Sequence, residues 1–349
     1  MAMLRGSLNS ERAAWGAGFG AVVALILILA GAGASGATFD HTLRTVAIGG
    51  ALLGLVTGVL GCFAVLRRQS LLGDALSHAA LPGVVIAFIL QGRTLSALLI
   101  GAAIASLIAM AFISALTRTT KIKQDAAQGI TLAAWFAFGL MLLSYVQGRP
   151  DAGQAGLDKF IFGQAAALVQ SDVFLIVGVG LVVFLLVTVF WKEFKLLTFD
   201  PEFAAANGFP VRFLDTILSS LIVAAIVLGL QLAGVILMVG LLIAPAVAAR
   251  QWTQRLGAMV LLSGVFGAFA GSTGAVLSGV DVNMPTGPLM IVAACAVVLI
   301  SVLFAPGRGM VWTVIQQRRE RQTAARQTVI PQNGGAQPVI AKRSAKHQR

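Results

Sequence analysis

The sequence predicts an all-α polytopic membrane protein, and three observations predict it. Of the 349 residues, 58% are apolar and 11% are charged, whereas a soluble domain carries about a quarter charged residues. The apolar residues gather in continuous runs of about 20, the length a helix needs to cross the hydrocarbon core. They do not alternate with polar residues as barrel strands would, so helices are expected. Lysine and arginine then cluster at alternate ends of successive runs. This pattern excludes a disordered chain, a fibrous repeat and an ordinary soluble enzyme.

The first span is expected at 14–35. Arg5 and Arg12 precede the apolar stretch Val22 to Leu29 and a run of small residues, as in a secretory leader. The apolar run from Ala13 to Ala34 is long enough to cross, and an uncleaved helix is expected. Further spans are expected at 46–66, 70–91, 95–116, 127–147, 172–191, 213–233, 234–249, 257–278 and 288–305. The fold class is therefore a bundle of about 8–10 transmembrane helices. Residues 1–45 form an N-terminal segment with the first helix, 46–306 one integrated domain, and 307–349 a basic cytoplasmic tail, largely disordered.

Topology follows from charge. Arg67 and Arg68 follow the second span. Arg118, Lys121 and Lys123 follow the fourth, Lys192 and Lys195 the sixth, and Arg250 and Arg255 the eighth. An inside N-terminus puts all of them on the cytoplasmic face. The net charge of +12 is thus a topology signal, and no nucleic-acid partner is expected.

Packing signals are also legible. Gly50, Gly54 and Gly58 recur every fourth residue, as do Gly267 and Gly271. Such spacing lets helices approach closely in lipid. Cys62 and Cys295 lie inside apolar runs without metal or disulfide spacing and read as small core residues.

No GxxxxGK[ST] motif is present, so the chain does not cradle ATP phosphates in a P-loop. HExxH and GxSxG are absent too, and only three histidines occur. No enzymatic activity and no permanently bound cofactor are expected.

The segment Ser70 to Gly83 carries the chemistry. Asp74 and His78 are four residues apart and share one helix face, with Ser77 beside them. An ionisable pair in an apolar span is a functional candidate by default. Carboxylate plus imidazole suits Mn²⁺, Fe²⁺ or Zn²⁺. Two side chains under-fill a metal shell, which suits transit. Pro82 lacks an N–H and deprives the His78 carbonyl of its helical partner, so a kink or break is expected there.

Between the sixth and seventh spans, Asp200 is a good N-cap, Pro201 a good first residue and Glu202 a favourable charge. Gly208 ends the helix and Pro210 prevents its restart. Such a short rigid helix on the cytoplasmic face suits docking a partner.

At these residues the chain resembles the permease subunits of metal-ion ABC importers for manganese, zinc and iron, the ABC-3 family. The stretches Leu72–Gly83, Ile122–Ala127, Phe160–Gly163 with Ser171 and Asp172, Leu197–Ala204 and Gly234–Ala246 carry the likeness, in order, over about 45–305. The resemblance implies a type II importer fold in the bacterial cytoplasmic (inner) membrane, with a second permease subunit completing the path. It implies a cytoplasmic ABC ATPase dimer that holds the ATP, and an extracytoplasmic metal-binding protein that delivers the ion. Asp74 and His78 match the family's metal-coordinating positions. Asp200, Pro201, Glu202, Phe203, Ala204, Ala205 and Gly208 match its ATPase-coupling helix. A vitamin B12 or siderophore permease would share the helix plan without needing the Asp74–His78 pair, and an ion-coupled secondary transporter would need no ATPase.

Weaker polar marks are read as follows. Asp40 and His41 are expected as solvated residues at an outer helix end. Arg149, Asp151 and Asp158 lie on the longest outer loop. Met238 and Met284 are expected in core packing.

Overall fold

The computed structural model describes residues 41–92, 94–148, 168–279, 284–305 and 309–312. The expected first span, the outer loop with Arg149, Asp151, Asp158 and the Phe160–Gly163 stretch, and the tail beyond 312 lie outside the described residues.

Eleven helices are present among the described residues. They are α1 (His41–Leu66), α2 (Leu72–Gln91), α3 (Leu95–Thr119), α4 (Gln124–Gln147), α5 (Gln170–Val189) and α6 (Trp191–Phe199). After them come α7 (Pro201–Ala206), α8 (Val211–Ala233), α9 (Val235–Trp252), α10 (Leu256–Ser278) and α11 (Thr286–Phe304). Eight of these are long and apolar enough to cross a membrane, and Met238–Trp252 is a shorter apolar helix. Every span expected from 46 onward thus has a helical counterpart. The boundary between α8 and α9 falls at Gly234, whose φ of 78° is open to glycine and strained for other residues.

The bundle is sealed by glycine. α1 packs along α10 so closely that a Cβ on Gly54 would lie 2.0 Å from the Gly267 carbonyl oxygen, and one on Gly271 2.0 Å from that of Gly50. The expected fourfold spacing on the two helices therefore forms one shared seam. The Ser263 hydroxyl donates to the Gly58 carbonyl across it, at 2.7 Å. A second seam joins α2 to α3, where a Cβ on Gly83 would meet the Gly101 carbonyl at 2.1 Å. Without a hydrophobic force between helices in lipid, such backbone approach supplies the van der Waals packing. On α9 and α11, Trp252 donates from Nε1 to Ser301 Oγ at 2.9 Å, and both residues are buried.

Four expectations need correction. α2 runs unbroken through Pro82. The proline ring lies against Gly139 of α4, which leaves room for it, so one lost backbone bond is absorbed inside protein rather than lipid. The span expected at 172–191 stops at Val189, and the chain turns into the separate helix α6. There, Phe194 and Leu197 are buried while Lys192 and Lys195 are exposed, an amphipathic pattern rather than a spanning one. Cys62 is buried as expected, but Cys295 is exposed on α11. Met238 is buried, whereas Met284 is exposed rather than packed in the core.

Candidate metal site and coupling helix

Asp74 sits in the first turn of α2, where the positive end of the helix dipole favours a carboxylate. One turn on, His78 Nε2 lies 3.3 Å from Asp74 Oδ1, so the structure brings the expected pair together. Their side chains are 19% exposed for His78 and 35% for Asp74. The pair therefore opens on the flank of this single chain rather than into its core.

The separation fits a shared cation. Two donors each about 2.1 Å from one ion stand about 3.4 Å apart at the tetrahedral angle. Among the described residues no third His, Cys, Asp or Glu joins them. Ser77 does not contribute its hydroxyl: it is buried and donates back to the Gly73 carbonyl at 2.7 Å.

Sequence reading missed Phe136. Its ring meets that of His78 edge to face, with centroids 4.6 Å apart. The contact comes from α4, whose docking on α2 at Gly139 and Pro82 sets the height of Phe136 against the imidazole. No local signal separates Phe136 from the neighbouring aromatics Trp135 and Phe138. His78 Nδ1 faces inward and is buried, so Nε2 is the nitrogen presented beside Asp74.

At the end of the bundle where Arg67 and Arg118 lie, α7 forms as its caps dictate. Asp200 Oδ1 accepts the Phe203 N–H at 2.8 Å, and Pro201 takes the first position. Asn207 Nδ2 donates to the Phe203 carbonyl at 2.8 Å. Gly208 has φ 80°. The Gly208 N–H donates to Ala205 O and the Phe209 N–H to Ala204 O, both at 3.1 Å, which is the paired closure of a glycine C-terminus.

Ala204 alone among the expected coupling residues is buried and anchors the helix. Asp200, Pro201, Glu202, Phe203, Ala205 and Gly208 are exposed. Phe203 presents 55% of its surface, and Phe199, Phe209 and Phe213 are exposed around it.

A second unread feature lies beside α7. Asp215, one turn into α8, accepts from Arg67 at the end of α1 and, at 3.5 Å, from Arg118 at the end of α3. Three helices are thus tied at one end of the bundle by one carboxylate.

Sealed seams, exposed aliphatic flanks and eight helices long and apolar enough to cross a membrane are the build of an integral membrane helix bundle. The family model described as "ABC 3 transport family" matches residues 39–305, and the chain belongs to that family. It is 48% identical to the zinc transport system membrane protein TroC of Treponema pallidum, over 80% of this chain and 94% of that protein. It is also 48% identical to the manganese transport system membrane protein MntC of Bacillus subtilis, over 80% of this chain and 64% of that longer protein. Among solved structures, PsaBC from Streptococcus pneumoniae in complex with Fab is 35% identical. Its TM-score is 0.68, covering 77% of this chain and 94% of that one.

Proposed function

We propose that this chain is the membrane subunit of an ATP-driven importer of manganese or zinc in a bacterial cytoplasmic membrane. Asp74 and His78 hold the ion in transit, and the 200–208 segment docks in a separate ATPase. The relatives named above are zinc and manganese systems, and the proposal is limited to those two ions.

The observation that carries it is the 3.3 Å Asp74–His78 pair on a half-open flank. A carboxylate and an imidazole are hard and borderline ligands, matched to these ions. A second permease subunit facing that flank would close the path and complete the shell. Two ligands from one chain hold an ion weakly enough to let it go. The exposed, doubly capped α7 supports the ATPase assignment, since its rigidity would pass a push to α8 rather than absorb it.

The test is expression with the cognate ATPase and binding protein in cells lacking their own uptake systems. Cellular manganese and zinc are read by elemental analysis. One metal is expected to rise in the parent and not in Asp74→Ala or His78→Ala, with assembly intact. Undiminished uptake in His78→Ala would refute the site, and uptake that survives ATP depletion would refute the ATPase coupling.

A further inference from the structure

We infer that a groove on the cytoplasmic rim of the bundle binds the phosphate of an anionic phospholipid headgroup. The groove, about 590 Å³ in volume, opens between α6 and the start of α10. It is distinct from the Asp74–His78 flank and does not depend on which ion is carried.

One wall is the outer face of α6. Trp191, Lys195 and Phe199 are spaced by four and so share a face, and all three line the groove. The other face of α6 is held by Phe194 and Leu197, both buried, which fixes the lining face outward. An aromatic–cation–aromatic stripe on a short helix is the composition of a helix lying at the membrane interface.

The opposite wall is the turn Gln254–Ala258. The Arg255 N–H donates to Thr253 Oγ1 at 3.2 Å, which sets the turn and places Arg255 at the N-cap of α10. No side chain caps this 23-residue helix, so its first-turn N–H groups keep their capacity for an anion. Gly257 is exposed there, and a Cβ on it would come within 3.7 Å of the Trp191 ring. The ring therefore lies against the helix start at the edge of the groove.

Two cations and an uncapped helix start thus converge on one cavity. No carboxylate lines it. Lys195 and Arg255 make no ion pair among the described residues. Trp191 and Phe199 supply apolar surface beside the charge, which an acyl chain can use and a free anion cannot. The charge pattern places this rim at the cytoplasmic leaflet, where anionic headgroups lie.

The experiment is native mass spectrometry of the full chain in detergent, titrated with phosphatidylglycerol or phosphatidylcholine, with and without inorganic phosphate. The parent is expected to retain phosphatidylglycerol preferentially. Lys195→Gln/Arg255→Gln is expected to cut that preference by about 30-fold, from about fivefold per cation near a surface. Lys192→Gln/Arg250→Gln, which removes equal charge outside the groove, is expected to leave most of it. An unchanged preference in the first variant, or equal loss in both, overturns the site. Phosphate that competes while the two lipids bind alike shows a free-anion site and overturns the lipid assignment.

Discussion

Arg67 and Asp215 stand 148 residues apart in sequence and pair directly, joining the C-terminal end of α1 to the start of α8. Arg67 leads within five residues to α2, which bears Asp74 and His78. Asp215 lies about one turn into α8, the helix that follows α7. The pair therefore ties the turn that leads into α2 to the start of α8. Both side chains are mostly buried, at 14% and 19% exposure, while Arg118 is 45% exposed.

Asp215→Asn is expected to lower stability by about 2 kcal/mol, because it leaves a largely buried guanidinium without its counter-charge. Arg118→Gln should cost under about 1 kcal/mol, since its partner is met near water. Apparent Tm in detergent measures both. A larger loss from Arg118→Gln than from Asp215→Asn would show that the link is not centred on Arg67.

Gly54→Ala is expected to disrupt the α1–α10 seam and abolish a stable detergent-solubilised protein, because the new Cβ would meet the Gly267 carbonyl at 2.0 Å. Gly129→Ala on α4 meets nothing within 4 Å and should gain up to about 1 kcal/mol from helix propensity. Size-exclusion profiles and apparent Tm of the two variants decide. A well-behaved Gly54→Ala protein would show that the seam yields.

Phe136→Ala is expected to weaken manganese or zinc uptake by about tenfold at most, the value of an edge-to-face ring contact. It should not abolish uptake as His78→Ala is expected to, since Phe136 packs on the imidazole and offers no ligand atom. Concentration-dependent uptake separates the cases. A complete loss would make Phe136 part of the path itself.

Gly208→Ala should strain the end of α7, where φ is 80°, by about 1–2 kcal/mol. Asp200→Ala should remove the N-cap at a cost of about 1 kcal/mol. Both, like Glu202→Lys, are expected to reduce ATPase co-purification while leaving the spanning helices folded. Normal co-purification in all three would remove α7 from the docking surface.

Local signals were enough for much of this molecule. The apolar runs marked the helices, Gly234 divided α8 from α9, and Asp200, Pro201 and Gly208 delimited α7 almost to the residue. Asp74 and His78 met because a spacing of four is a property of one helix. What local reading could not reach was partnership across the fold. Gly54 advertises a close approach but not its mate, Gly267. Asp215 reads as an isolated acid until α1 and α3 bring it two arginines. Pro82 was expected to break α2 because a sequence does not show the glycine opposite that makes room for the ring. α6 went unread between the expected spans 172–191 and 213–233 because its amphipathic pattern covers barely more than two turns.

The seam of α1 and α10 has one more consequence. Two helices whose backbones touch at successive turns behave as interlocked racks: neither slides along the other without driving a carbonyl into a Cα. α1 and α10 therefore travel as one beam, and α2 and α3, locked through Gly83 and Gly101, as another. Between the beams runs the link Arg67–Leu71, where Arg68 adopts φ 57°. Any push delivered at that end of the bundle is then expected to turn one beam against the other about that link, with the Asp74–His78 flank at the end of the lever.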